Sequence, residues 1–486
     1  MDGSQTQYRP DRHPSESYDD ILNRDTRVVP PFMRQGPAPE LDLGPVPASR
    51  YYDADYFQKE VDHVWSRAWQ WACREEEIPN VGDYQIYEIA GTSLIVARTA
   101  DRSIKAFYNS CLHRGRKLVT LNGCKDEFRC PYHGIAWNTD GSFKDNPIAW
   151  DFPQWEGRDM TLPQAKVETW GGFVFINMDL NAPALMDHLG PLAEHFADYD
   201  YADRYKAVHV AKVVRCNWKV LAEAFMESHH SVTTHPQILP FLADANSQYD
   251  LLNAYVSRQF SASGVPSPFV ADMNYSPTEI IQAMSGTGGG TRRRGLDGPD
   301  DSVVPDGVSA RAYAAQKARE SLSAEDGFDY ADKSDAEMID ALLYNLWPNM
   351  SFWAGYSPNL VYRWRPNGRD PESGIMDVVI LKRVPKDGVR PKPAPVHELG
   401  VDDPWSDAPE LGGLMGIFEQ DMGNLPYVQE GLRTSGTGVV HFGRYSEMRI
   451  RQLHQLVERY IAEAAPALTR SPNETAARDG DRRSAV

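Results

Sequence analysis

The chain has 486 residues, 41% hydrophobic and 11% aromatic, with 50 basic against 68 acidic side chains and a net charge of −18. That length accommodates two or three domains with their own cores, and the acidic balance argues against a general nucleic-acid surface. No eighteen-residue apolar run argues for a membrane span, the start lacks a secretory leader pattern, and five cysteines are too few for a disulfide framework.

Residues 1–48 are rich in Pro, Asp and Arg without periodicity and read as a mobile or wrapping arm. Over 51–71, Phe57, Val61, Val64, Trp65 and Trp69 predict an amphipathic helix leading into a first domain. Short strands are expected at 84–89, 93–98 and 104–108, separated by Gly, Asn and Asp. The run 171–178 reads as a buried strand returning the chain to a second domain. There, 209–216 reads as a strand, 220–230 as a helix, and 360–364 with 376–383 as antiparallel strands. A last helix is expected over 445–464, carried by Met448, Ile450, Leu453, Leu456, Val457 and Ile461. Residues 286–307 read as a mobile loop by composition. The boundaries drawn are an arm over 1–48, a first domain over 49–180, a second over 181–465 and a disordered tail over 466–486. Cys73, Cys124 and Cys216 are expected as reduced thiols in a cytoplasmic setting.

In the first domain, Cys111-Leu112-His113 is followed by Cys130-Pro131-Tyr132-His133. Two thiolates and two neutral imidazoles suit either a tetrahedral zinc or a [2Fe-2S] cluster with Cys on one iron and His on the other. Each pair lies in a short loop, where Gly115, Pro131 and Gly134 let the backbone bend around a bulky centre. Zinc fingers place their two His close together on a helix, which this spacing does not do.

The second domain carries another constellation: Asn217-Trp218-Lys219, then Glu223, Phe225, Glu227, His229-His230 and His235. An open-sided ferrous iron that activates oxygen takes two imidazoles and one carboxylate on one face. His230 and His235 are the imidazole candidates, with His229 as local competitor. Five residues rotate by about 140° on an α-helix, so both reach one metal only if the helix ends or unwinds between them. The run Val232-Thr233-Thr234, followed by Pro236, favours such a break.

The stretch C-L-H-R-G, continued by R-C-P-Y-H-G-I-A-W, resembles the Rieske iron–sulfur domain of ring-hydroxylating oxygenases. N-W-K-x-x-x-E-x-F-x-E-x-x-H-x-x-x-x-H resembles the signature of the same family's catalytic domain. Together the resemblance covers most of the chain, from about Tyr51 to Ile461. It implies an α+β architecture: an N-terminal Rieske [2Fe-2S] β-sandwich and a C-terminal helix-grip (START-like) antiparallel sheet covered by helices. It implies Cys111 and Cys130 on the inner iron of the cluster, His113 and His133 on the outer iron, and His230 with His235 on a mononuclear Fe(II). Phe418-Glu419-Gln420-Asp421, Asn424 and Gln429-Glu430-Gly431-Leu432 are similar to the family's late E/Q-D…Q-x-G-L segment. That likeness makes Asp421 the third ligand, with Glu419 as the alternative.

The family uses an acidic residue at the position of Glu227 to link a ligand His to a cluster His of the next subunit. Glu227 is accordingly expected between His230 and a neighbour's His133 or His113, with Glu223 supporting the same network. Asn217 is expected as a helix N-cap and Trp218 as a packing anchor. Ala224, Phe225, Met226 and Ser231 flank the ligands and are expected at the substrate cavity. Trp347-Pro348-Asn349 and Phe352-Trp353 are expected either to wall a hydrophobic pocket or to pack in the core. His63, His188, His195, His209, His397, His441 and His454 are isolated and expected in ordinary core or surface roles.

The reading that follows is a terminal oxygenase component using O2. No G-x-G-x-x-G follows a strand, so NAD(P)H is expected only indirectly, through a separate reductase or ferredoxin. A hydrophobic aromatic or polycyclic substrate is expected, because no charged cluster flanks the ligand helix. Dihydroxylation, monohydroxylation and demethylation all remain open. The resemblance suggests a homo-oligomer, a head-to-tail trimer, with or without a small beta subunit. The competing classes are a pure Rieske electron carrier and a zinc-structured binding protein.

Overall fold

A computed structural model describes residues 13–286, 296, 302–356 and 359–463. The tail expected over 466–486, most of the loop over 286–307 and the first twelve residues of the arm lie outside the described residues. The chain divides into two compact units: Gln58–Leu185 with the residues from Val457 on, and Met186–Leu456 with the residues up to Phe57. Among the described residues no helix is long and apolar enough to cross a membrane.

In the first unit, the runs Asp83–Ile89, Thr92–Arg98 and Ile104–Tyr108 pair as antiparallel strands. Ala90 and Gly91, at φ 48° and 84°, close the first hairpin in two residues. Both positions of such a turn take positive φ, which glycine accepts without a Cβ conflict. The sheet has seven strands, in the order Gly123–Cys124, Asp83–Ile89, Thr92–Arg98, Ile104–Tyr108, Gln164–Trp170, Phe173–Asn177, Gln70–Arg74. A smaller sheet of Glu127–Arg129, Ala136–Asn138 and Phe143–Asp145 faces a shared core. Ile95, Phe107, Phe128, Ile135 and Trp137 fill that core together with Cys111 and Cys130.

The single helix expected over 51–71 is not found. An α-helical run Ala54–Glu60 passes into a π-turn at Val61–Trp65, and Gln70–Arg74 is a strand. Its backbone pairs with Phe173–Asn177, a long-range partner that local periodicity cannot register. The strand expected at 171–178 is thus an interior strand of this sheet.

The second unit is built on eight strands, in the order Gln248–Leu251, Val256–Ser261, Ala341–Leu346, Met350–Trp353, Leu360–Asn367, Asp370–Arg383, Arg204–Val214, His397–Leu399. All neighbours are antiparallel except the last pair. Val256–Ser261, Ala341–Leu346 and Met350–Trp353 are buried at every residue, so both faces of the mid-sheet are covered. Helices Trp218–Glu223, Ala310–Asp326, Leu414–Met422 and Leu425–Thr434 belong to this unit, and the last helix among the described residues runs Met448–Ala462. The mixed α+β architecture expected from the sequence is the one observed.

The arm is tied down by ion pairs rather than by a long apolar stripe. Tyr18, Ile21, Leu22 and Met33 are buried. Arg311 donates to Asp25 at 2.8 Å and to Asp340 at 2.5 Å, and Tyr18 Oη donates to Asp340 at 2.8 Å. Burying Arg311 between two carboxylates meets the desolvation cost that either charge alone would leave uncompensated.

Candidate metal centres

Cys111 and Cys130 open two loops of the same construction. Gly115 N–H donates to Cys111 O and Cys111 N–H to Arg116 O; Gly134 N–H donates to Cys130 O and Cys130 N–H to Ile135 O, at 2.8 to 2.9 Å. Gly115 and Gly134 sit at φ 74° and 79°, where a side chain would be strained. The thiols are buried, while the imidazoles of His113 and His133 are half-buried, with ring centroids 4.6 Å apart. Burial, together with the neighbouring Cys130 thiol, raises the Cys111 pKa against the pull of the His113 N–H. Burial and the charges of His133 and Arg114 lower that of His113.

His113 Nδ1 is a buried nitrogen with no hydrogen-bond partner. Such an atom is costly unless something else satisfies it, and a metal–nitrogen bond would do so. Two inward thiols and two outward imidazoles fit a [2Fe-2S] cluster, Cys111 and Cys130 facing one iron and His113 and His133 the other.

The second centre depends on where a helix stops. Asn217 caps the helix Trp218–Glu223, its Oδ1 accepting the Lys219 N–H at 2.9 Å. The helix expected over 220–230 ends at Glu223, well before the ligands. Its continuation would need the His230 N–H to reach Met226 O, four residues back. Instead Glu227 Oε2 accepts that N–H at 3.0 Å, Arg449 Nη1 donates to Met226 O at 3.2 Å, and Ser228 N–H goes to Tyr249 Oη at 3.1 Å. A four-residue helix, Ser231–Thr234, follows, with His230 as its N-cap and His235 as its C-cap. His235, at φ −127° and ψ 51°, has left the helix, and both rings turn to the same side.

His230, His235 and Asp421 each offer a ligand atom within 4.8 Å of the others, although Asp421 comes from the distant helix Leu414–Met422. Asp421 Oδ1 lies 2.8 Å from His235 Nε2 and 3.7 Å from His230 Nε2. The opposite nitrogens are engaged: His230 Nδ1 with Glu227 Oε1 at 2.5 Å, His235 Nδ1 with Gln420 Oε1 at 2.8 Å. The Glu227 carboxylate only accepts, so His230 Nδ1 carries a proton and its Nε2 is the nitrogen left for a metal, while His235 lies between Gln420 Oε1 and Asp421 Oδ1. Burial opposes protonation of His230, but the Glu227 hydrogen bond and charge outweigh it and raise its pKa. The same contacts hold Glu227 below its usual range despite burial. Two imidazoles and a carboxylate on one side fit an open-sided non-haem iron.

The competing residues lie elsewhere. His229 is exposed, its ring 6.0 Å from Phe269. Glu419 Oε2 accepts the Trp405 N–H at 2.9 Å. Glu223, expected beside Glu227, instead accepts from Tyr51 Oη at 2.9 Å and lies 2.8 Å from His454 Nε2. With the helix ended at Glu223, the one-turn spacing to Glu227 no longer applies. His454, isolated in the sequence, is buried in that triad. Gln420, which orients His235, had no assigned role; its only signal was adjacency to Asp421.

A cavity of about 140 Å3 opens beside the ligand triad. Ala224, Phe225 and Ser231 line it as expected positions, joined by Phe241, Leu343, Trp353, Tyr362 and Phe418. Met226 does not. It lines a separate small cavity with Asn345, Trp347 and Pro348, because the turn after Glu223 puts adjacent residues on opposite sides. Of the sequence's aromatic clusters, Trp353 reaches the main cavity while Phe352 packs against Phe196 and Tyr201. Away from the triad Ser228, Gln259 and Ser261 line it, Ser231 lies beside the ligands, and Tyr362 and Trp353 carry a hydroxyl and an indole N–H; among the described residues no Lys or Arg lines it.

Comparison with known proteins identifies the two domains that carry these residues. Residues 68–156 match the Rieske [2Fe-2S] domain and residues 195–463 the ring hydroxylating alpha subunit (catalytic domain). The carnitine monooxygenase oxygenase subunit of Escherichia coli (strain K12) is 31% identical over 194 residues, 39% of this chain and 52% of that protein. Biphenyl 2,3-dioxygenase subunit alpha of Rhodococcus jostii (strain RHA1) is 28% identical over 330 residues, 65% of each chain. The chain thus spans about half to two thirds of the length of these relatives. A quaternary ammonium Rieske monooxygenase solved with L-carnitine shares the fold at TM-score 0.57 and 20% identity, covering 86% of this chain and 96% of that one. The catalytic-domain match extends over more than half the chain, and the chain belongs to the ring-hydroxylating alpha-subunit family, with a Rieske [2Fe-2S] domain ahead of its catalytic domain.

Proposed function

We propose that this chain is a terminal oxygenase that hydroxylates an uncharged, hydrophobic, ring-bearing molecule with O2 and electrons from an external ferredoxin or reductase. The observation that carries the reading is the cavity beside His230, His235 and Asp421. Phe225, Trp353, Tyr362 and Phe418 give it aromatic surfaces, and its two acidic residues, Glu227 and Asp421, are both engaged with histidines. A charged substrate would enter it without a counter-ion, at a cost of several kcal/mol.

Cys111, Cys130, His113 and His133 hold the cluster in this reading, and His230, His235 and Asp421 hold the iron. Iron bound there supplies oxygen activation, and the cluster supplies electrons one at a time. Glu227 fixes the His230 proton on Nδ1, and Gln420 orients the His235 ring through Nδ1. The apolar walls keep bulk water from the reacting carbon. A second cavity of about 230 Å3 shares Ala224, Glu227, His230 and Asp421 with the first and is also lined by Glu223 and Glu447. There a neighbouring subunit's His113 or His133 would approach Glu227, which makes a homotrimer the working assembly, with or without a beta subunit.

The likeness to a carnitine monooxygenase subunit favours a second reading, oxidation of a quaternary ammonium compound, in which the aromatic rings would face the cation. The test is O2 consumption by the holoenzyme with a ferredoxin–reductase pair and NADH. Uptake with indane, naphthalene or a terpenoid, and none with L-carnitine, is the expected result. Uptake with L-carnitine alone overturns the reading. Product analysis then separates cis-diol from monohydroxylated product.

A further inference from the structure

The polar positions of the main cavity are not scattered. Gln259 and Ser261 are two residues apart on the strand Val256–Ser261, so their side chains share one face of the sheet. Both are buried, at 4% and 1% exposure, and both line the cavity. The hydrogen bonds around them fix which atoms donate and which accept.

Arg449 can only donate. Its Nη1 lies 2.7 Å from the Gln259 side-chain oxygen, so Oε1 must be the atom on that side and Nε2 the other. The remaining directions follow in sequence. Ser228 Oγ lies 3.0 Å from the carbonyl of Asp244, which only accepts, so the single Ser228 hydroxyl proton goes there. Ser228 Oγ must then accept from Tyr249 Oη and from Ser247 Oγ, both at 2.9 Å, and its lone pairs are filled. With the Ser247 proton spent on Ser228, the 2.5 Å contact between Ser247 and Ser261 is a donation from Ser261. Ser261 Oγ therefore has no proton left. It accepts a long contact of 3.4 Å from Gln259 Nε2 and keeps one lone pair free.

Two unmet capacities result on one patch of the wall: an N–H of Gln259 Nε2 and a lone pair of Ser261 Oγ. Ser228 is saturated and adds nothing. One chemical group meets both needs, since a hydroxyl accepts and donates through the same atom; a carbonyl meets only the first. We propose that Gln259 and Ser261 are specificity-determining residues that select, among uncharged ring-bearing molecules, those carrying a hydroxyl group. The proposal rests on the reading of this cavity as the substrate site. The hydroxyl anchors the ring at the strand, and the face of the ring away from it is the part left toward His230, His235 and Asp421. A buried site built to hydrogen-bond a hydroxyl discriminates against the analogue that lacks it more strongly than an apolar pocket discriminates by size.

The test is anaerobic calorimetric binding of indane, 1-indanone and 1-indanol to the holoenzyme, in wild type, Gln259→Glu and Ser261→Ala. Gln259→Glu preserves the acceptor for Arg449 and removes the donor. Ser261→Ala removes the acceptor without adding bulk. Wild type is expected to bind 1-indanol at least fivefold more tightly than indane, with 1-indanone between them. Gln259→Glu should abolish the advantage of the ketone, and Ser261→Ala should reduce the alcohol to the level of the ketone. Iron content and the cluster absorbance, unchanged in both variants, report that the fold and both metal centres are intact, and each alcohol or ketone affinity is read as its ratio to indane in the same variant. The inference is overturned if wild type prefers 1-indanol by less than fivefold, or if both variants keep the wild-type ratios. Failure to bind either indane or 1-indanol overturns the apolar-substrate reading itself, and this inference with it.

Discussion

Glu227 grips His230 at two points: Oε1 accepts the ring Nδ1–H at 2.5 Å and Oε2 accepts the backbone N–H at 3.0 Å. The first bond leaves Nε2 bare on the side of Asp421; the second diverts the N–H that would have continued the helix. One carboxylate thereby sets both the proton and the position of a ligand.

Glu227→Gln keeps the size of the side chain but loses its charge and its ability to accept equally well at both ends. The variant is expected to load both centres and to accept electrons into the cluster. Reoxidation of the cluster with substrate and O2 should slow by roughly 100-fold, followed by stopped-flow absorbance. Near-normal turnover, or full activity from a demonstrated monomer, would sink the proposed link.

His230→Ala, His235→Ala and Asp421→Ala should each lower iron from about three to about two per chain, with the cluster still reducible. Glu419→Ala should leave iron unchanged and lower stability by about 1 kcal/mol, because the Trp405 N–H loses its acceptor. Metal analysis beside thermal unfolding decides. Iron loss in Glu419→Ala but not in Asp421→Ala would exchange the two assignments.

Cys130→Ala or His133→Ala should remove the visible colour and the reduced-state EPR signal, while iron at the mononuclear site, about one per chain, remains. Colour retained in either variant contradicts the ligand assignment.

His188 ties stability to acid. Its Nε2 donates to Trp347 O at 2.9 Å and its ring stacks on Tyr255 at 4.0 Å. Burial pushes its pKa down to about 4, outweighing the upward pull of the carbonyl. Between pH 6.5 and about 4 the unfolded chain binds a proton that the folded chain does not. Stability therefore rises with pH through this window and is lost as pH falls. Complete loss is worth about 3 kcal/mol at this one residue. In His188→Gln the decline of the unfolding midpoint across the window should be shallower than in wild type; an equal slope in both would exclude the residue as its source.

The ligand loops were legible because their information is local. Cys111 with His113, and Cys130 with His133, are close in sequence and held by bonds spanning a few residues, with Gly115 and Gly134 supplying the one backbone conformation each loop needs. The short strands over 84–89 and 104–108, and the Asn217 cap, are equally local. The helix expected over 51–71 gives way where the chain changes partner: Gln70–Arg74 has its hydrogen bonds on Phe173–Asn177, about a hundred positions on.

By itself, then, the sequence determined residue chemistry and order: two Cys-His pairs, two spaced imidazoles, a late carboxylate, and the division into a strand-rich and a mixed part. Only the tertiary structure decided that the ligand helix stops at Glu223, since Arg449, Tyr249 and Glu227 claim the backbone groups that would have extended it. It also decided that Gln420 orients His235, that Glu223 belongs with Tyr51 and His454, and that Gln259 faces the cavity with Met226 left outside. Those outcomes turn on which distant group reaches a given donor or acceptor first, and periodicity along the chain carries no record of that competition.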